Sequence, residues 1–400
     1  MNTDVVEKSQ SLFDPLTLPC GVVLQNRIIK SAMSDSLGDG KGNPTEAQSR
    51  LYELWAEGGV AASIIGEVQG NPHYAEKPGN LVLNSDSCKD HYKTLAKRGA
   101  SAGAHLWLQL GHAGAMAHPP ISTPKGPSAI DIPGLTCAAL SIDEIKNLPN
   151  EFAETAALAQ RLGFGGVQIH AAHGFLLSQF LSPLFNKRTD DYGGSAAARM
   201  RLLLEVVEAV RNAVDPSFVV GVKLNSTDQL EGGFEEHAAL EVVSALDNTG
   251  IDFIDMSGGT YFPGAKSSSD SSGSGPYFLD FASLARKKTS KPIMLTGGFK
   301  TKQQAVDAMA TGDIDLVGIA RALVLDPSLP KSWQSHPAKD PEFPRFVSSP
   351  EGGITAWYTM RLTELASGQS LDADSNLEEI LKTYNERDEW RVQQWNEHFS

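Results

Sequence analysis

Cysteine is nearly missing: the 400 residues hold three, Cys20, Cys88 and Cys137. They are odd in number and far apart, which argues against a disulfide framework or a zinc site and fits a reducing compartment. Long apolar runs are missing too. None approaches the about 18 residues of a membrane helix, and the N-terminal MNTDVVEKSQ is polar, unlike a cleavable leader. There is no basic excess. Lys and Arg number 34 against 48 Asp and Glu, a formal charge of −14, which speaks against a nucleic-acid or anionic-membrane surface but not against a local phosphate pocket. No sequence repeat is found. These absences predict a cytoplasmic protein with a small-molecule partner.

What is present is ordinary globular material, 41% hydrophobic and 20% charged. The length exceeds the about 250 residues of a bare (β/α)8 barrel but suits one with insertions. Eight short apolar runs recur, beginning near Asn26, Ala62, His105, Gly165, Phe218, Asp252, Pro292 and Asp315. They are continuous rather than alternating, as in parallel strands covered on both faces. Between them lie helical patterns such as 195–214, 235–248 and 301–310, the last opening on a Thr suited to capping. Eightfold alternation predicts a single α/β (β/α)8 TIM barrel. A doubly wound sheet needs a Gly-rich turn after its first strand, and NRIIKSAM has none.

Three stretches read as excursions. Residues 113–140, rich in Pro and Gly, are expected to loop over the mouth, and 260–275, with SSSDSSGSG, to be mobile. The tail carries two helical patterns, ITAWYTMRLTEL and LEEILKTYNERDEW. The expected division is a barrel over 1–340 and a helical extension over 341–400 packed on it. The apolar faces of that extension cover either their own barrel or a second copy, so a homo-oligomer stays open.

In such barrels the working residues stand at the C-terminal ends of the strands. The fourth strand ends in His170-Ala-Ala-His173, a pair able to grip and polarise a carbonyl oxygen. Zinc is the rival reading, but no matching ligands stand at other strand ends. Gln109 closes the third strand with an amide that suits a flavin's pyrimidine edge, although a buried Gln satisfied by backbone is commoner. Lys223 lies inside the fifth strand and needs an anion: a reduced flavin, or an unidentified carboxylate. Gly297-Gly298 and Ala320-Arg321 end the last two strands, where barrels build phosphate sites from backbone N–H groups.

The stretch 167–194, VQIHAAHGFLLSQFLSPLFNKRTDDYGG, resembles the signature of the Old Yellow Enzyme, or NADH:flavin oxidoreductase, family. Asn26-Arg27-Ile28, Gln109 with HAG, GVKLNSTD, the GG turn and GIARALVLDP follow in the family's order, over about Leu12 to Pro330. The resemblance implies FMN, with NADPH or NADH as reductant, and an activated alkene such as an enone as substrate. It places the FMN phosphate on Gly297, Gly298, Ala320 and Arg321. Ala32, Met33 and Val68 then line the flavin ring, with Gln109 and Lys223 on its polar edge. His170 and His173 hold the substrate carbonyl. Two departures stand out. Phe175 occupies the position of the family's proton-donor Tyr, leaving Tyr261 in the loop after the sixth strand as the alternative hydroxyl beside the substrate. Ser34 stands where some relatives carry Cys beside the flavin. Phe175 keeps other outcomes open: an isomerase, a nitro or quinone reductase, or a flavin-binding protein with little catalysis. Another FMN barrel, of the hydroxy-acid oxidase or dihydroorotate dehydrogenase type, is a rival reading against which the HAAHGF and FLSP stretch weighs.

Overall fold

The computed structural model describes residues 11–262, 265, 275–346, 349–368 and 376–400; most of the expected mobile segment therefore lies outside the described residues. Eight parallel strands close on themselves. They are β1 (Ile28–Lys30), β2 (Ala62–Gln69), β3 (His105–Leu110), β4 (Gly166–Ala171), β5 (Val219–Asn225), β6 (Phe253–Ser257), β7 (Ile293–Thr296) and β8 (Leu316–Ile319). Closure comes from β8 pairing with β1 (Val317 opposite Ile28) while β1 also pairs with β2 (Ile29 opposite Ala62). Each strand grows from one of the eight predicted apolar runs. The (β/α)8 barrel is therefore the observed fold.

Amphipathic helices cover the outside, and local chemistry starts them. Thr45 caps Glu46–Gly58 by accepting from the Gln48 N–H at 3.2 Å. Ser141 and Glu144 form a capping box at the head of Ile142–Arg161. Thr301 does the same with Gln304 before Lys302–Ala310, as its position suggested. Segment 113–140 is more ordered than a plain loop. Ile130–Ile132 and Leu135–Ala139 form a hairpin around Pro133-Gly134, where Gly134 supplies a φ of +83°, and Lys125–Gly126 adds a third strand.

The barrel interior is layered by the period of two along each strand. The lower layer is apolar: Ile29, Ile64, Trp107, Phe253, Met294 and Leu316 cluster there, plugged from below by Leu18 and Leu24. One step up each strand the layer turns polar, with Gln109, Gln168, Lys223, Asp255 and Thr296. A further step brings His170, Asn225 and Ser257 to the rim. The C-terminal helices Gly353–Ser367 and Leu377–Phe399 lie outside the barrel. Trp395 packs on Ala75, Val82 and Ile121, and the Arg391 guanidinium donates to the Ser36 carbonyl at 2.7 Å. Among the described residues no helix is long and apolar enough to cross a membrane.

Candidate functional site

The rim of β4 brings the two histidines together. His170 is the next-to-last residue of its strand, and His173 follows in a turn with a φ of +60°, uncommon for a side chain with a Cβ. The turn is held by the Asn225 side chain, which accepts the His173 N–H at 3.1 Å. The two rings meet edge to face, centroids 5.3 Å apart. His173 Nε2 lies 3.0 Å from Ser257 Oγ, whereas His170 Nδ1 is buried with no partner. Burial holds both rings neutral. It lowers His170 well below the usual range, helped by the proximity of His173 and the charge of Lys223, and lowers His173 to about 3, helped by Lys223. Neutral imidazoles can donate one N–H each, which suits gripping a carbonyl oxygen. Among the described residues no cluster of three His, Cys, Asp or Glu could hold a metal ion, so the zinc alternative has no ligand set there.

Phe175 is buried with its ring 4.9 Å from His170, packed on Ala113 and Ala117. No hydroxyl stands there. Tyr261 reaches the same corner, its ring 5.9 Å from His173 and 6.1 Å from Phe175. Its ring is largely exposed at the mouth, while burial of the hydroxyl end, with the charges of Glu76 and Glu67, pushes its pKa up to about 12.

A cavity of about 470 Å³ opens beside His173 and Tyr261. Its wall includes Gly297, Gly298, Ala320 and Arg321, the four positions read as a phosphate site. Gly298 has a φ of +87°, and a side chain there would run into the Gly275 carbonyl, so only glycine lets the backbone turn in this space. Arg321 makes no ion pair among the described residues; its guanidinium sits 5.8 Å over the Tyr358 ring. A cavity-lining cation that has no carboxylate partner and a glycine-built backbone turn fit a phosphate group.

The remaining predicted residues lie deeper or to one side. Ala32, Met33 and Ser34 follow β1, and Gly66 presses against the Met33–Ser34 backbone, where a Cβ would come within 2.6 Å. Val68 is fully buried at the end of β2. Gln109 and Lys223 belong to a buried chain of polar groups. Gln109 donates to Gln168 (2.7 Å), Gln168 to Asp255 (3.0 Å), and Asp255 receives Lys223 Nζ (3.0 Å) and the Thr296 hydroxyl (2.6 Å). Asp255 is thus the carboxylate alternative foreseen for Lys223. Gln109 is satisfied by a side chain rather than by backbone.

Glu67 was not singled out from sequence, although it sits in the GEVQ end of β2. Its Oε1 lies 3.4 Å from His170 Nε2, and both side chains are buried. Its one mark in the sequence is that it is an acid inside an apolar strand.

The model of the NADH:flavin oxidoreductase / NADH oxidase family matches residues 11–340. An NADH-dependent flavin oxidoreductase of Hypocrea jecorina is 35% identical over 362 residues, covering 82% of this chain and 90% of that protein. One from Neonectria sp. is 36% identical over 365 residues, covering 82% of this chain; the chain spans only 47% of that relative's length. Morphinone reductase is similar in structure, with a TM-score of 0.73 and 25% identity, over 84% of this chain and 92% of that one.

Proposed function

The chain belongs to the NADH:flavin oxidoreductase / NADH oxidase family, the Old Yellow Enzyme family, and from that premise we propose that it reduces the activated C=C bond of α,β-unsaturated carbonyl compounds in a ping-pong cycle. Its cofactors are FMN, with NADH or NADPH as reductant. Bound flavin supplies a two-electron carrier that takes hydride from the nicotinamide and passes it to the acceptor. Gly297, Gly298, Ala320 and Arg321 hold its phosphate. Ala32, Met33, Ser34 and Val68 would line its ring, with Gln109 and Lys223 at its polar edge. His170 and His173 hold the acceptor's oxygen and draw electron density from the alkene. Phe175 and Tyr261 flank it.

The observation that carries this reading is the edge-to-face histidine pair beside the cavity lined by Gly298 and Arg321. Phe175 favours a second reading. Quinones and nitro groups need no proton delivered to carbon; an isomerisation is the other alternative, marked by substrate consumption without net NAD(P)H oxidation. We place the barrel within residues 1–340, with 341–400 as its packed extension, in a cytoplasmic protein acting on a small molecule. The test is steady-state NADH and NADPH oxidation with cyclohexenone, a quinone and a nitroalkene, with product identified. Cyclohexanone formed with nucleotide consumed supports the first reading. Consumption with the quinone alone favours the second.

A further inference from the structure

Glu67 combines three unusual properties. It has a φ of +58°, a conformation that side chains with a Cβ rarely adopt, at the point where the pairing of β2 with β3 slips between Ile65 and Val68. That bulge aims the carboxyl at His170 rather than along the strand. Glu67 is 4% exposed, and among the described residues no Lys or Arg pairs with it. Its Oε2 has no partner and lies against Gly111, where a Cβ would come within 2.7 Å.

The protonation state of this pair decides what His170 can do. An ionised Glu67 would take the imidazole hydrogen on Nε2, leaving Nδ1 a bare acceptor that repels a carbonyl oxygen. A protonated Glu67 donates to Nε2 instead, which puts the ring hydrogen on Nδ1, the buried atom without a partner. Burial and the charge of Glu76 hold the Glu67 carboxyl well above its ordinary range, against the pull of Lys223, which favours the second arrangement.

We propose that Glu67 is the positioning residue that sets the Nδ1–H tautomer of His170 and relays, through the imidazole, the proton that accompanies hydride to the acceptor. The proposal rests on the alkene-reductase reading above. As hydride forms a C–H bond at the β-carbon, the π electrons shift on to the carbonyl oxygen, which takes the hydrogen from His170 Nδ1 while Nε2 takes the Glu67 hydrogen, giving an enol that becomes the ketone in water. Water then supplies a hydrogen to Nδ1 as Nε2 returns its own to Glu67, which restores the starting tautomer. Gly111, which lies against Glu67, lines with His112 and Gln69 a small cavity of about 20 Å³, room for one water. His112 Nε2 and both amide atoms of Gln69 are buried there without partners. Asn71 and Glu151 belong both to this cavity and to a surface groove.

The test compares Glu67→Gln and Glu67→Leu with the unaltered flavoprotein. A Gln amide can still donate to Nε2 but carries no acidic proton; Leu does neither. Nitrogen NMR of ¹⁵N-histidine-labelled protein should show His170 as the Nδ1–H tautomer in the unaltered protein and in Glu67→Gln, and not in Glu67→Leu. In stopped flow, Glu67→Gln should slow flavin reoxidation by cyclohexenone at least tenfold, with a larger solvent isotope effect. Flavin reduction by NADH and the half-saturating enone concentration should stay within twofold. Glu67→Leu should also raise that concentration. An Nε2–H tautomer in the unaltered protein, or enone reoxidation unchanged in Glu67→Gln, overturns the proposal. If the unaltered protein is not reoxidised by any enone, the alkene-reductase reading fails, and the tautomer assignment is decided by the NMR alone.

Discussion

Two polar groups near the mouth of the barrel are both buried but differ in condition. On one side Gln109, Gln168, Asp255, Lys223 and Thr296 satisfy one another in an unbroken chain. On the other, Glu67, Gln69, His112 and His170 each keep a buried polar atom with no partner. A closed network needs nothing further, and it rigidifies the barrel under the mouth. An open one carries an uncompensated desolvation cost of about 1–3 kcal/mol per group, which a ligand or water can recover. The comparison separates support from chemistry: the first group holds the platform, the second waits for a substrate and a proton.

The largest effect should come from breaking the closed side. Lys223→Met leaves the Asp255 carboxylate buried and unpaired, and we expect about 3–5 kcal/mol of lost stability, read from denaturant midpoints. Adding Asp255→Leu should recover most of it; no recovery would mean the pair is not the strained element. Next, His170→Ala with His173→Ala should lower cyclohexenone-dependent flavin reoxidation by about 10² or more, since both donors to the carbonyl are lost. Unchanged enone affinity and turnover would remove the histidines from the acceptor site. Arg321→Ala should weaken FMN retention by about tenfold, the worth of one charge-assisted hydrogen bond, as read by flavin release on dilution.

Smaller effects sharpen the same contrast. Phe175→Tyr introduces a hydroxyl beside His170 and should change the rate or stereochemistry of acceptor protonation more than flavin reduction by NADH. An equal fall in both half-reactions would point to damaged packing. His112 is held neutral, its pKa lowered to about 3 by burial. Below about pH 6.5 the unfolded chain takes up a proton there that the folded chain refuses, so stability falls as pH drops towards 3. His112→Asn keeps an acceptor for the Gly114 N–H, which His112 Nδ1 now receives at 3.0 Å. The variant should show a shallower acid-side loss of the denaturation midpoint, and an identical pH profile would contradict the assignment.

How much of this could be read from the chain depends on whether the signal is local. The eight strands were legible because each is a short apolar run ended by turn residues, and the Thr301 cap because its partner Gln304 is three residues on. His170 and His173 were legible as a spacing at a strand end. Lys223 announced that it needed an anion, but β-sheet register, not sequence distance, chose Asp255 opposite it. Glu67 was invisible because its role depends on a bulge that no residue type encodes and on a strand over 100 residues later. The hairpin over 130–139 hid behind its Pro and Gly, which mark a turn as readily as a loop.

The most direct measurement is anaerobic: reduce the flavoprotein with NADH or NADPH, then mix in cyclohexenone and follow the flavin absorbance and the product. The account predicts rapid return of oxidised flavin with cyclohexanone formed in equal amount. Flavin that is reduced by the nucleotide yet stays reduced with the enone would contradict it.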